Sequence, residues 1–569
     1  MTIVGWLQIA LVLAFVVGCA HPLGRFIAQV FEGRRTFLSS VIGPFERGLY
    51  RLAGVDPAVE QTWRTYTLCM LGFAAGCFFV LYALQRLQNL LPLNPQGFDA
   101  VPPDLAFNVA ISFITNANWQ AYSGETTMSH LTQMLGLTAN NFLDSAVATA
   151  LAIAVVRAFA RSGSTTIGNF WVDLTRATLY LYLPLAVVLA LVFVALGVPQ
   201  TLQGSVVAST LEGAKQVISI GPVASQEAIK LIGTNGGGFF NANSAHPFEN
   251  PGVWSNMLQA WAMLVVPVAL VFALGHMVSD QRQSRALLVT IGVLFLFGLA
   301  VLYYVEAAGN PILTSLGVDP ALGNMEGKDL RFGQSHAALF AAATTGTGTG
   351  AANATYDSMT PLGGMVNLFF LLIGCITPGG VGTGLYDIIL IAIIAVFIGG
   401  LMVGRTPEYL GKKIEVREMR FAILAILVAP LFILGFGMIS ASAKFALDSL
   451  GNSGPHGLTE IIYAYAASAS DNGSAFGGLN ANTPWFNTTT GLAMFAGRFM
   501  HGIPLMALAG SLAAKKRAAV SAGTLPTDGS LFVGLLIGVI IIVGLLNYFP
   551  ALALGPIVDY FQMFEGKTF

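Results

Sequence analysis

The chain has 569 residues, of which 55% are hydrophobic and only 10% charged, and its formal net charge is −1. Soluble domains carry roughly 25% charged residues, so a chain this long and this poor in charge cannot cover a surface that faces water. Its mean hydropathy of +0.71 makes the bilayer the solvent that fits it, and its near-neutral charge gives no sign of a nucleic-acid partner.

A spanning helix needs about 20 apolar residues. Ten segments meet that length, close to residues 3–23, 64–86, 131–157, 173–197, 255–278, 285–305, 358–403, 418–443, 488–513 and 530–549. The first has no basic leader before it and no small-x-small cleavage site after it, and reads as a retained helix. The seventh is too long for one straight span. Its middle, Gly374 to Gly384, holds five glycines and a proline, and no ordinary helix continues through that. It reads as one helix broken by an internal loop, which is tolerated at membrane depth only where it is buried in protein or lines a water-filled cavity. The four cysteines, Cys19, Cys69, Cys77 and Cys375, lie in apolar runs without metal-ligand spacing and read as small packing residues. If the first helix enters from outside, nineteen of the 27 basic residues fall in inner connections. That is the expected bias, and both termini then face outside.

The outer connections after spans two, four, six and eight each hold a segment too short to cross: Asp104–Ile114, Ser225–Gly233, Ser335–Thr344 and Thr459–Ala469. Each begins with a residue suited to a helix N-terminus: Asp104, Ser225, Ser335 or Thr459. Each ends in a polar, mostly glycine-bearing turn: Thr115-Asn116-Ala117-Asn118, Thr234 to Gly238, Thr345 to Gly350, and Ser470-Asp471-Asn472-Gly473. A spanning helix follows every turn. The second and fourth copies also share the pattern Asn-Gly-x-x-Phe followed by Asn-Ala-Asn, at Asn235 to Asn243 and at Asn472 to Asn482. The predicted fold is therefore an all-α polytopic membrane protein of about ten transmembrane helices. Four helix–pore loop–helix repeats surround a pseudo-fourfold axis. The expected divisions are residues 1–62 (first helix and inner connection), 63–162, 163–280, 281–412 and 413–518 (four repeats), and 519–569 (last helix and outer tail).

A dehydrated cation needs its water oxygens replaced, and backbone carbonyls do this where four loops meet on one axis. Glycine permits φ > 0, so successive carbonyls can point inward. The C-terminal ends of the short helices would add roughly half a negative charge each. The alternative is that these glycines only let helices pack closely. The candidate cation ligands are Thr115, Asn116 and Ala117 in the first turn and Thr234, Asn235 and Gly236 in the second. Thr349 and Gly350 serve in the third, and Asn472 and Gly473 in the fourth. On this reading Asn116 stands where the other turns have Gly236, Gly350 and Gly473.

The strings GTNGGGFFNANSAHPFENP (Gly233–Pro251), TNANWQ (Thr115–Gln120), ASDNGSAFGGLNANTP (Ala469–Pro484) and GRTPEYLGKKIEVREM (Gly404–Met419) closely resemble the KdpA family, the potassium-binding subunits of bacterial Kdp K⁺-transporting ATPases. The resemblance runs over essentially the whole chain. It implies K⁺ as the bound ion and an inner-membrane, ATP-driven import pump. The implied partners are the P-type ATPase subunit KdpB, the accessory subunits KdpC and KdpF, and membrane lipid. It also implies a K⁺-affinity role for Gln120, a gating role for the broken seventh span with Gly379 and Gly380, and a position at the inner end of that span for Arg405. The chain has neither a G-x-x-x-x-G-K-[ST] loop nor a D-K-T-G motif, so it is expected to be a non-catalytic subunit. A stand-alone passive transporter of the Trk/Ktr type and a non-transporting scaffold are the competing readings.

Several residues have plainer readings. Glu227 and Lys230 are expected to form a local ion pair facing outer water, and Arg498 to hold a structural contact inside its span. His246 is expected to be a satisfied loop histidine. Asp357, Asp387 and Glu408 flank the broken span; Asp387 reads either as favouring a passing cation or as a helix-start or ion-pair residue. The Arg405–Arg420 cluster reads as a positive-inside signal or a contact with a partner's cytosolic region.

Overall fold

The computed structural model describes residues 1–518 and 524–567; the boundary expected at 518/519 adjoins residues outside that set. Among the described residues, ten helices are long and apolar enough to cross a membrane: Ile3–Phe31, Trp63–Leu90, Thr132–Ala160, Phe170–Ala195, Val253–Met277, Gln281–Ser315, Thr383–Met402, Val416–Ser442, Pro484–Ala514 and Ser530–Phe564. The seventh predicted span is broken as expected. Pro361–Leu372 and Thr383–Met402 are separate helices joined by the glycine-rich loop. Among the described residues, sheet is confined to two small hairpins, Val206–Ser209 with Lys215–Ile218 and Glu408–Tyr409 with Lys412–Lys413.

The four short helices are Pro103–Ile114, Val223–Ile232, Gly333–Thr347 and Gly454–Ala469. At about 1.5 Å per residue the longest reaches only about 24 Å, short of the roughly 30 Å hydrocarbon core. Their starts differ from the sequence reading. Asp104, Ser225, Ser335 and Thr459 all lie inside the helices, which begin one to five residues earlier, and none of the four helices has a side-chain N-cap hydrogen bond. The charged or polar residue near each start sits in the first turns instead of on the cap.

Burial sorts the spans into two rings. The helices that follow the four turns (spans three, five, seven and nine) are buried over 83, 78, 67 and 67% of their apolar stretch. Those that precede the turns reach only 22, 39, 56 and 22%. The first helix of each repeat therefore faces outward, and the second lines the centre. The short helices lock the repeats into a ring, because each packs on the inner helix of the preceding repeat as well as on its own. Pro103–Ile114 meets Pro484–Phe495. Val223–Ile232 meets the third span. Gly333–Thr347 meets the fifth span, and Gly454–Ala469 meets Pro361–Leu372.

Behind two of the turns lie buried ion networks. Lys230 and Glu227 do not face outer water; both are essentially inaccessible. Lys230 Nζ lies 2.6 Å from Glu227 and 2.6 Å from Glu249, and Glu249 accepts a hydrogen bond from Phe240 N at 2.8 Å. The helical i,i+3 spacing was legible, but the second carboxylate, from the far limb of the turn, draws the group inside. In the third repeat buried Lys328 pairs with Glu306 at 2.6 Å, and Glu306 accepts from Thr360 N at 2.9 Å. Both networks tie the limb after the turn to the helix before it. Removing one member strands an uncompensated charge, which costs about 3–5 kcal/mol. Lys230→Met is expected to lose about that much stability in a denaturant melt of the purified chain. The triple variant Lys230→Met/Glu227→Gln/Glu249→Gln should recover most of the loss; an unchanged single variant would refute the account.

Candidate functional site: the junction of four re-entrant turns

Each short helix ends in the same backbone figure, a residue with positive φ, one ordinary residue, then a second with positive φ. In the second turn these are Thr234 (47°) and Gly236 (93°), in the third Gly348 (67°) and Gly350 (76°), and in the fourth Asp471 (54°) and Gly473 (72°). In the first turn they are Asn116 (67°) and Asn118 (50°). This corrects the register read from sequence. Asn118, not Asn116, occupies the place of Gly236, Gly350 and Gly473, and Asn116 corresponds to Thr234, Gly348 and Asp471. The Asn-x-Asn spacing carried the signal, since asparagine tolerates the left-handed region better than other non-glycine residues.

The turns touch in cyclic order. Asn116 Nδ2 donates to Thr234 O at 2.7 Å, joining the first to the second. A Cβ on Gly236 would overlap the Thr349 carbonyl, one on Gly350 the Asn472 carbonyl, and one on Gly473 the Ala117 carbonyl. Second thus abuts third, third abuts fourth, and fourth returns to first. At these three glycines the close approach, as well as the positive φ, excludes a side chain. Every candidate ligand therefore falls in one ring: Thr115, Asn116, Ala117, Thr234, Asn235, Gly236, Thr349, Gly350, Asn472 and Gly473. Their polar side chains are tied to one another and to the surrounding protein, with Asn235 Nδ2 donating to Asn116 Oδ1 at 2.7 Å. Thr115 Oγ1 donates to Ile111 O at 2.9 Å, Asn472 Nδ2 to Thr344 O at 2.8 Å, and Asn235 Nδ2 to Asp144 Oδ1 at 2.8 Å. Outside the ring, a cavity of about 330 Å³ is lined by Asn118, Gln120, Gly237, Gly350, Gly473 and others, with residues from all four turns. Gln120 donates to Gly238 O at 2.8 Å, bridging the first and second turns at this mouth.

The loop of the broken span lies against the other side of the ring. Gly379 N donates to Gly346 O at 2.8 Å and Thr377 N to the same oxygen at 3.1 Å. Val381 N donates to Thr234 Oγ1 at 2.9 Å, and a Cβ on Gly380 would come within 3.0 Å of Thr347 O. Gly379 has φ of 94° and abuts Gly384. Arg405 lies beyond the C-terminal end of the second half-helix, exposed, donating to Thr524 O at 3.0 Å.

Arg498 holds a structural contact, as expected. It pairs with Asp471 at 3.2 Å and donates to Asp144 O at 3.2 Å, which buttresses the fourth turn. Asp387 Oδ1 lies 2.9 Å from His501 Nε2. Glu408 accepts from Thr524 Oγ1 at 3.0 Å, and His246 stacks on Phe240 with ring centroids 3.7 Å apart. In the inner basic cluster, Lys412 is not a solvated charge: its buried Nζ donates to Arg161 O and Lys515 O, each at 2.6 Å. Burial, with Arg517 and Lys515 nearby, pushes its pKa down to about 8. Asp357 belongs to a network in which His456 bridges two carboxylates, Asp357 at 2.8 Å and Asp559 at 2.7 Å. Burial opposes the charge on His456, but the hydrogen bonds to Asp357 and Asp559 outweigh it and push its pKa up to about 10.

Ring, mouth and half-helices together define a multi-pass membrane protein whose chemistry is concentrated in four re-entrant turns. The family model described as "Potassium-transporting ATPase A subunit" (KdpA) matches residues 10–561. A potassium-transporting ATPase potassium-binding subunit of Allorhizobium ampelinum is 59% identical over 565 residues, covering 99% of each chain. One of Brucella anthropi is 56% identical over 569 residues, covering 100% of each. Among solved structures, the potassium transporter TrkH of Vibrio parahaemolyticus is similar with a TM-score of 0.52 at 15% identity, over 88% of this chain and 96% of that one, a likeness of fold. The chain belongs to the KdpA family.

The His456 bridge predicts a pH dependence. Its folded pKa is raised above the unfolded value near 6.5, so the native state binds the extra proton and its contribution is complete below about 6.5. It is lost as pH rises toward about 10. The stability difference between the wild type and His456→Ala should therefore be largest at pH 6 and shrink by pH 10. A difference that grows with pH would contradict the bridge.

Proposed function

We propose that the ring of four turns is the K⁺-selecting filter of an ATP-driven import pump, and that this chain is its potassium-binding, non-catalytic subunit. The observation that carries the reading is the repeated positive-φ, ordinary, positive-φ figure, closed into a ring at the ends of four helices. Alternating backbone of this kind turns successive carbonyls to one side, where they can replace the water around a dehydrated cation. The helix C-termini add a negative field at the same place. The ligands are the carbonyls of the ten candidate residues, extended by the corrected register to Asn118, Gly348 and Asp471. Gln120 sets affinity by fixing the mouth between the first and second turns.

The relatives named as subunits of potassium-transporting ATPases support a pump assembly. In the proposed assembly KdpB is the ATPase, KdpC and KdpF are accessories, and the chain lies in the bacterial inner membrane with both termini outside. The five boundaries after residues 62, 162, 280, 412 and 518 separate the four repeats from one another and from the first and last helices. Residues Gly374 to Gly384, held against the ring by Gly379 and Gly380, act as the gate, and Arg405 anchors the inner end of the gating helix.

The test is K⁺-stimulated ATPase activity of the chain purified with its neighbours. Gly236→Asp places a side chain where the Thr349 carbonyl stands, and should abolish K⁺ stimulation or remove discrimination between Rb⁺ and K⁺. Unchanged affinity and discrimination would sink the filter. ATP-independent K⁺ uptake by the chain alone would favour a passive transporter. The register gives a sharper prediction. Asn118→Gly should keep K⁺ affinity, whereas Gly473→Ala should raise the half-saturating K⁺ concentration at least about tenfold, about 1.4 kcal/mol. Equal effects of the two would return Asn116 to the filter position.

A further inference from the structure

Two cavities meet on the lipid-facing surface beside the first span. One, of about 460 Å³, is lined by Arg34, Arg35, Arg47 and Arg176 with Ser39 and Ser40. The other, of about 370 Å³, is almost wholly apolar and runs between the first, fourth and fifth spans, past Leu23, Phe26, Leu181, Leu185, Trp261 and Val265. They share Tyr180, and Thr36 and Ser39 of the basic cavity flank Phe37 and Leu38 of the apolar one.

The charges in the basic cavity do not cancel. Glu46 neutralises Arg176 at 3.1 Å and is held there by the hydroxyls of Tyr180 at 2.8 Å and Tyr50 at 2.9 Å. These bonds and Arg176 overcome the penalty of burial and hold the Glu46 carboxyl below its usual range. Arg34 pairs with Glu32 at 2.8 Å. Among the described residues no carboxylate pairs with Arg35 or Arg47, so the cavity keeps two uncompensated guanidinium groups beside serine hydroxyls. The helix over it, Ser39–Ala53, is amphipathic. Phe37, Val41, Phe45, Leu49 and Leu52 recur every three or four residues and are 79, 66, 69, 44 and 86% exposed. An apolar stripe that faces away from the protein, with arginines alongside, marks a helix lying in the membrane interface.

We infer that the paired cavities seat one anionic glycerophospholipid, its phosphate between Arg35 and Arg47 and one acyl chain in the groove toward Trp261. Basic pockets at the ends of membrane helices take anionic head groups, guanidinium forks match phosphate oxygens, and the continuous apolar groove selects a lipid over a free anion. The site is remote from the ring of turns and stands independently of the ion pathway.

The test is native mass spectrometry of the full purified chain, washed in detergent and titrated with phosphatidylglycerol or phosphatidylcholine. The wild type should retain phosphatidylglycerol about tenfold better, about 1.4 kcal/mol. Arg35→Ala/Arg47→Ala should bring it to the phosphatidylcholine level, while Arg51→Ala, outside the cavity, keeps the preference. Leu185→Trp, filling the groove, should reduce retention of both lipids. Equal retention by the wild type, or no change in the double variant, overturns the site. Displacement by millimolar inorganic phosphate would make it a free-anion site and overturn the lipid. So would a photoreactive group at Phe26 that, in native membranes, captures a protein instead of a lipid.

Discussion

An unpaired peptide group in hydrocarbon costs several kcal/mol, and this fold places four stretches of non-helical backbone at membrane depth. That constraint explains most of the architecture. The turns can exist there only inside a wall of protein, so the helices that follow them form an inner ring and those that precede them an outer one. Each short helix must also lean on the preceding repeat, because a single repeat offers only part of the enclosure. The turns then complete one another's packing, with glycine wherever the next turn's carbonyl comes too close for a side chain.

The same constraint accounts for the buried charges. A turn of alternating backbone conformation has no helix or sheet ladder to fix it, so its outgoing limb must be tied down by side chains. Lys230 with Glu249 reaches across the second turn, Arg498 holds Asp471 in the fourth, and Glu306, paired with Lys328, accepts from Thr360 N beyond the third. Buried ion pairs are weak evidence for stability, because desolvation offsets the attraction. Their use here is geometric, since a displaced limb would leave a charge without its partner. The first turn has no such pair among the described residues. It relies on neutral contacts, among them Gln120 to Gly238 O and Asn116 to Thr234 O. It is also the turn without a glycine at the shared position.

Much of this was legible in the sequence, for physical reasons. Span length, the broken seventh helix and the four short helices follow from apolar run length and from glycine and proline placement. What failed to transfer was register and burial. Asn116 and Asn118 are chemically alike, and only the φ pattern shows which one matches Gly236. Lys230 and Glu227 read as a surface pair because their spacing is local, whereas Glu249, nineteen residues from Lys230, is brought in by the turn. Lys412 counted as an inner-face charge, yet it caps two helix ends through the carbonyls of Arg161 and Lys515. In the last two cases a contact distant in sequence decided the outcome, and composition holds no record of it.

The broken span gives the turns a second consequence. Its loop donates backbone hydrogen bonds to Gly346 O and to Thr234 Oγ1, so it rests on the ends of the second and third short helices instead of hanging free below them. Under the function proposed above, an ion leaving the filter meets this loop, and a straight passage requires those bonds to break together with the close contact between Gly379 and Gly384. A net cost of about 1 kcal/mol per hydrogen bond is small enough for such a loop to move and large enough to keep it closed most of the time. Under that same reading, a loop closed most of the time suits a subunit that passes ions one at a time better than an open channel.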